Sequence, residues 1–350
     1  MLTIIIYGVK IFSHITHVFT EGNMKSKTLK TAVRTVALIL VFVFFILYTV
    51  YFGEKVIFAK FFLNSDTEFR TPGMADGYIA QGLDYMEERS AFLSCGYMKD
   101  KSASRVYVIS EESRKELFFV EMKKEDGSDH TGHTGGISYF GNYLYITGGD
   151  GCDIFLVSDL FDGDGIITKV GEVGAELDPA YCNVYDGKLY MGSFYYPEGG
   201  YNGTELQYVT TPAGDENHAM IMVYELDPET GFAKSDTPTE IYSTTGKVQG
   251  MTMLPDGNMM LSTSWGLTAS YLYEYDVKNA SRGTFELNGK SVPIVYLDSE
   301  SLVSRVKAPP MAEEIVYFDG KVIIMTESAS QKYIFGNLTS GRKIRSYELD

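Results

Sequence analysis

"QGMTMLPDGNMMLSTSW", residues Gln249–Trp265, reads as a glycine, a short apolar run, a Pro-Asp-Gly turn and a second apolar run that ends in small hydroxyl residues. Variants of the phrase recur as "QGLDYMEERSAFLSCGY" from Gln81, "GGISYFGNYLYITGG" from Gly135, "AYCNVYDGKLYMGSFY" from Ala180 and "EEIVYFDGKVIIMTES" from Glu313. Each holds two strand-like runs about a central turn, and the second runs start in register at Leu144, Leu189, Met259 and Val322. Asp186-Gly187, Asp256-Gly257 and Asp319-Gly320 are hairpin signals, because glycine accepts the positive φ that such turns require.

A second hairpin follows each phrase. "SRVYVIS" and "ELFFVEM" follow the first, "DIFLVSDL" and "IITKVGEV" the second, "AMIMVYELD" and "TEIYSTT" the third, and "YLYEYDV" and "PIVYLDS" the fourth. After the fifth only "KIRSYELD" remains. The unit is therefore a four-stranded meander present five times, with its last strand missing. Repeats of this size and strand content predict an all-β, five-bladed β-propeller of four-stranded blades. A blade cannot bury both faces of its sheet alone, whereas blades in a ring stack those faces together. The missing strand is expected from "DTEFRT", Asp66 to Thr71, which would close the ring. A six-bladed ring is the alternative, its extra strands hidden in the insertions 195–218 and 277–293.

Composition agrees with strands. The chain has 26 Tyr, 21 Phe and 35 Gly among its 350 residues, which favours strands and turns over helices. Charge is unevenly spread. Residues 1–60 hold seven Lys/Arg and two Asp/Glu, a net of +5, so of the formal −16 a charge of −21 falls on residues 61–350. A body this acidic excludes binding to nucleic acid through phosphates.

The basic start has its own reading. Val36 to Phe52, "VALILVFVFFILYTVYF", is 17 residues without a charge. As a helix it covers about 26 Å, close to the hydrocarbon thickness of a bilayer. Lys25, Lys27, Lys30 and Arg34 precede it, and such a flank stays in the cytoplasm. No convincing small-x-small cleavage site follows, which favours an uncleaved signal-anchor over a removed signal peptide. Met24 opens "MKSKTLKTAVRTVALIL", an ordinary anchor start, and translation is expected to begin there rather than at the first residue. The organisation expected is a cytoplasmic segment 1–35, with 1–23 untranslated, a transmembrane helix 36–58, and an extracytoplasmic propeller domain 61–350 on a single-pass protein of the cell membrane. Cys95, Cys152 and Cys182 are odd in number and lack metal spacing. They read as buried thiols, with a Cys152–Cys182 bridge as the alternative.

Functional groups in a propeller gather where the innermost strands enter the channel. The column just before those strands contains Gln81, Gly135, Ala180, Gln249 and Glu313, and the next contains Gly82, Gly136, Tyr181, Gly250 and Glu314. Two residues ahead of the first column stand His133, Asp178 and Lys247. Such a ring is polar and titratable, as a site would be, although a wet channel is lined by polar groups in any case. His130 and His133 in "DHTGHTGG" suit a metal with Asp178 or Glu313 as a third ligand, or a general base. Their loop spacing is unspecific, and a polar loop that happens to carry His is the plainer expectation, so no metal is assigned. Adjacent residues of a strand face opposite sides, so Glu313 or Glu314 is expected to face the channel, not both. Glu327 and Lys332 of "ESASQKY" are placed near the same face. Trp265, the single Trp, walls a ligand pocket or packs between blades. Neither a nucleophile–base pair nor a metal set is legible, and no cofactor is assigned.

"YIAQGLDY", followed by "GYMKDKSASRVYVIS", resembles the first blade of the plant-type glutaminyl cyclases, which are five-bladed propellers. The likeness covers about 30 residues. Gln81 is the one site position of that family it implies here. Where the family carries its catalytic glutamate, in a Gly-Glu-Gly context, this chain reads Gly135-Gly136. The family's Trp at the third inner strand is replaced by Ala180-Tyr181, and its later Asn-Glu by Glu313-Glu314. "PPMAE", Pro309 to Glu313, is also similar to a stretch in a broad group of uncharacterised secreted bacterial propellers. The functional expectation is a binding module that takes a small molecule, glycan, peptide or partner protein at the propeller face. The alternative is an enzyme of the cyclase, lyase or hydrolase kind that uses channel residues.

Overall fold

The computed structural model describes residues 27–349. The expected start at Met24 lies outside the described residues. The chain divides into two compact units, Met1–Ile57 and Phe58–Asp350. Within the first, a helix spans Lys27–Ile57. Its portion Thr31–Ile57 is long and apolar enough to cross a membrane, or to serve as a signal sequence.

The second unit is a five-bladed propeller, ordered as the repeats predict. Blade 1 is Tyr78–Met86, Ala91–Met98, Arg105–Ser110 and Glu116–Lys123; blade 2 is Ile137–Phe140, Tyr143–Gly148, Gly151–Leu156 and Gly171–Gly174. Blade 3 is Pro179–Tyr185, Lys188–Ser193, Ala219–Glu225 and Glu240–Thr244; blade 4 is Val248–Met253, Met259–Thr263, Ser270–Tyr275 and Leu302–Ala308. Blade 5 is Ala312–Phe318, Lys321–Thr326 and Lys343–Glu348, completed by Ser65–Arg70 from the start of the domain. That closing strand runs antiparallel to the last one, from Ser65 opposite Tyr347 to Arg70 opposite Lys343. Three two-residue turns have both central residues at positive φ, Asp186 (50°) with Gly187 (69°), Asn288 (50°) with Gly289 (76°) and Asp319 (48°) with Gly320 (81°). That backbone matches the twist of a two-residue hairpin.

Two outer strands differ from expectation. "IITKVGEV" divides between blades: Ile166–Thr168 runs parallel to Glu116–Lys123 on the edge of blade 1, and Gly171–Gly174 takes the fourth place in blade 2. "PIVYLDS" belongs to a hairpin, Arg282–Leu287 and Lys290–Tyr296, that joins the edge of blade 3 in parallel with Glu240–Thr244. The fourth strand of blade 4 is Leu302–Ala308, "LVSRVKA", whose exposed polar alternation hides it from a search for apolar runs. Insertion strands therefore exist, but they widen blade 3. The insertion 195–218 adds only the two-stranded Val209–Thr210 and Glu216–Asn217. Neither builds a sixth blade.

The core follows from the ring. Buried apolar residues form five clusters, one for each blade-to-blade interface. Leu93 and Val108 of blade 1 meet Leu144 and Phe155 of blade 2. Leu272 and Val306 of blade 4 meet Ile315 and Val322 of blade 5, and there Phe58 and Phe61 of the entering segment fill the seam. Phe69 of the closing strand, Ile323 and Ile344 meet Leu83 and Phe92 of blade 1, so closure buries a core as complete as any other. Cys95, Cys152 and Cys182 are free and buried.

Candidate functional site at the channel mouth

The inner strand of every blade starts at one face of the disc, and the second strand ends there. In four blades the pairing slips at this point. The register breaks between Ala80 and Gly82, Pro179 and Tyr181, Val248 and Gly250, and Ala312 and Ile315. The residues skipped are Gln81, Ala180, Gln249 and the pair Glu313-Glu314. The column read from the repeats is thus a column of β-bulges. A bulge inserts a residue without a ladder partner and re-aims its side chain. It also places Glu313 and Glu314 together opposite the same stretch of the neighbouring strand, and both are buried, at 2% and 1% exposure. Strict alternation, which would send one of them away, does not apply across a bulge.

The following column brings backbones together. A Cβ on Gly82 would lie 2.8 Å from Ile137 N, one on Gly136 2.4 Å from Cys182 N, and one on Gly250 2.5 Å from Glu314 Cα. Neighbouring inner strands touch at these three glycines. Glu314 occupies the axis itself, and its Oε2 accepts from Ile137 N (2.9 Å) and Leu83 N (3.3 Å), tying blade 5 to blades 2 and 1. One layer down, Ser138 Oγ donates to Asp84 Oδ2 (2.8 Å) and accepts from Val184 N (2.9 Å). Burial pushes the Glu314 carboxyl well above the usual carboxylate range and raises Asp84 to about 7.

Above this plug lies a linked polar group. Gln81 Nε2 donates to Glu327 Oε2 at 2.9 Å. Burial, and then the neighbouring Glu327, push Glu313 well up, so it keeps its proton and donates to Glu327. Burial raises Glu327 to about 7 although Lys332, Gln81 and Glu313 all favour its ionised form. Lys332 Nζ donates to Tyr97 Oη at 2.6 Å, and the Tyr97 ring packs on His133 at 5.0 Å. The His133 ring remains reachable by solvent, yet the protein atoms crowding it, and then Lys332, push its imidazole down to about 4. It is neutral at pH 7, below the range of an ordinary imidazole. Glu313 Oε1, Thr134 Oγ1 and Ser330 Oγ are buried without a hydrogen-bond partner among the described residues.

Other expected site residues fall elsewhere. His130 is a buried partner of Asp153 (3.2 Å), which also meets Lys169 (2.6 Å), so it braces blades 1 and 2 away from the channel. Tyr181 is fully buried in the core between blades 3 and 4. Asp178 is exposed, and its carboxyl is raised by partial burial and then by Asp150. Gln249 is half-buried at the bulge of blade 4. Among the described residues no hydrogen bond joins His133 to Asp178 or Glu313. Trp265 stands two residues past the second strand of blade 4, half-buried among Tyr196 (4.7 Å), Tyr201 (5.6 Å) and Phe194 (5.9 Å). Lys247 Nζ lies 4.2 Å over the Tyr196 ring. No group of three or more His, Cys, Asp or Glu among the described residues is arranged to hold a metal ion.

Tyr97 was not singled out from the sequence, and Glu327 only loosely. Both are the residue just past the partner of the pre-bulge position, Gly96 opposite Ala80 and Thr326 opposite Ala312. The same column holds Phe194 and Ser264. Aligning the ends of the second strands as well as the starts of the first would have found it.

No family model matches the sequence, and no curated protein does. Solved structures with a similar fold include the glutaminyl cyclase of Myxococcus xanthus, at 12% identity over 82% of this chain and 96% of that one, with a TM-score of 0.44. Another is the PQQ-bound aldose sugar dehydrogenase of Streptomyces coelicolor, at 14% identity over 75% and 76%, with a TM-score of 0.40. A third is the β-propeller domain of Myceliophteria thermophila Cps50 (Swd1), at 9% identity over 78% and 99%, with a TM-score of 0.35. At these identities the likeness concerns the fold alone.

Proposed function

We propose that the chain is a membrane-anchored protein whose extracytoplasmic propeller binds a small polar ligand at the channel mouth. The observation that carries this reading is the group Gln81–Glu327–Glu313–Lys332, in which a buried oxygen of Glu313 has no hydrogen-bond partner among the described residues although the same side chain is linked to Glu327. A buried unpaired polar atom costs about 1–3 kcal/mol, so its retention favours a use. Glu314, bonded to blades 1 and 2, closes the axis below this group. The test is a thermal-shift screen of small polar compounds against the full chain in detergent. A true ligand raises the melting temperature in proportion to its occupancy. Gln81→Ala and Glu327→Gln are expected to abolish that rise. A ligand that stabilises both variants as it does the parent would place binding elsewhere.

A second reading, general acid–base catalysis, is favoured by one observation. Glu327 is held near 7 with a protonated Glu313 beside it, as a proton-transfer pair requires. If a bound compound is turned over, kcat/KM should step near pH 7 and lose that step in Glu327→Gln.

A further inference from the structure

The linked group at the mouth, taken with His133, offers hydrogen bonds without offering net charge. Of its ionisable groups, Glu313 keeps its proton, Glu327 titrates beside it, Lys332 is a cation, and His133 is neutral. One carboxylate and one ammonium cancel. A cationic ligand would face Lys332, and an anionic one would face the glutamates. Both N–H bonds of Gln81 are taken by Ala80 O and Glu327, so the donor here is Lys332 and the acceptors are on Glu327 and Glu313, a set that suits a group that both donates and accepts, namely a hydroxyl.

An aromatic wall stands beside it on the same face. Ser262 Oγ of blade 4 donates to the backbone oxygen of Glu313 at 2.5 Å, and Ser264 N donates to Lys247 O at 3.0 Å. Trp265 follows directly, three residues or about 10 Å of strand from the Glu313 contact. Its ring is backed by the loop 194–201, for a Cβ on Gly199 would sit 2.8 Å from it. The platform is therefore fixed before any ligand arrives. Beyond it, Tyr201 and Leu267 are 51% and 69% exposed.

We propose that the ligand is a carbohydrate, its pyranose ring laid against Trp265 and its hydroxyls directed to Glu327, Lys332 and the unpartnered oxygen of Glu313. Such a ring has an apolar C–H face and a polar rim, which matches an aromatic platform next to a hydrogen-bonding polar group. This rests on the reading of the mouth as a binding site. The test presents the full chain in nanodiscs to an array of neutral, N-acetylated and uronic-acid oligosaccharides printed beside peptides, followed by calorimetry on the hits. Neutral or N-acetylated oligosaccharides are expected to bind. Trp265→Ala and Glu327→Gln should each weaken them at least ~tenfold. A circular-dichroism melt within about two degrees of the parent would establish that these variants fold. Failure of every oligosaccharide to bind, or sugar binding untouched by both substitutions, overturns the proposal. Peptide binding that Glu327→Gln abolishes also overturns the ligand class while leaving the mouth as a site. A compound bound equally well by Glu327→Gln and Gln81→Ala removes the site reading itself.

Discussion

At the scale of single residues, the axis is held by groups with almost no room and almost no water. Gly136 shows the first constraint, since any side chain there meets the backbone of blade 3 at 2.4 Å. Backbone cannot step aside as the end of a side chain can, so Gly136→Ala should destabilise the propeller by about 3 kcal/mol or more. A melting curve measures this, and a loss below ~1 kcal/mol would mean the inner strands can spread. Asp84 shows the second constraint. It holds two hydrogen bonds, from Tyr85 N and Ser138 Oγ, yet burial lifts it to about 7. A carboxyl raised in the folded state binds its proton more tightly there than in the unfolded chain, where it titrates near 3.9. Its contribution is fully present below about pH 4 and is lost as pH rises through 7, amounting to at most about 4 kcal/mol. Asp84→Asn keeps one acceptor and removes the titration. The parent should therefore lose melting temperature relative to the variant between pH 5 and 8, and the gap should narrow towards pH 4. Parallel curves across that range would show that Asp84 reaches solvent in the native state.

At the scale of elements, the decisive device is closure by the chain's own beginning. Ser65–Arg70 supplies a row of hydrogen bonds to Lys343–Glu348 and one large side chain, Phe69, which is 4% exposed and lies 5.1 Å from the Phe92 ring. Phe69→Ala should cost about 3–5 kcal/mol, the range for a buried aromatic truncated in a core. It strikes the seam where first and last blades meet, so limited proteolysis of the variant should cut first near Lys343–Glu348, whose edge it loosens. Cleavage that begins in another blade would argue that closure is not the weak seam. This strand was legible because a count of strand-like runs left one blade short. Inner strands were legible for a related reason. They are buried on both faces and so read as apolar runs with glycine turns. The outer strand Leu302–Ala308 alternates with exposed polar residues and so shows no apolar run, while Lys290–Tyr296 reads well as a strand but gives no sign of which blade it joins. The site was legible as a column, since bulges recur in register with the repeats. Its partners were not. The link from Gln81 to Glu327 spans 246 residues, and the diversion of His130 to Asp153 depends on which loop crosses which seam. Neither leaves a periodic trace.

At the scale of the whole molecule, the charge distribution and the buried thiols together allow the proposed orientation to be tested directly. The uncharged stretch Val36–Phe52 of the helix Lys27–Ile57 follows Lys25, Lys27, Lys30 and Arg34, while the propeller side carries the −21. Positive flanks are retained in the cytoplasm, whereas acidic residues influence orientation little, so the four basic residues should set the topology. Cys95, Cys152 and Cys182 are buried, which makes the folded chain nearly silent to a membrane-impermeant maleimide. Glu112→Cys places a thiol in an exposed turn of blade 1. In intact cells this variant should be labelled as fully as in lysed cells, and the parent hardly at all. Replacing Lys25, Lys27, Lys30 and Arg34 with Glu should then reduce labelling in intact cells while leaving it unchanged after lysis. The second arm separates orientation from folding, since a misfolded propeller would expose its native cysteines and label in both conditions without the Glu112 change. Labelling of Glu112→Cys only after lysis would put the propeller, and any ligand of its mouth, on the cytoplasmic side. The search would then turn from surface glycans to metabolites of the cell interior.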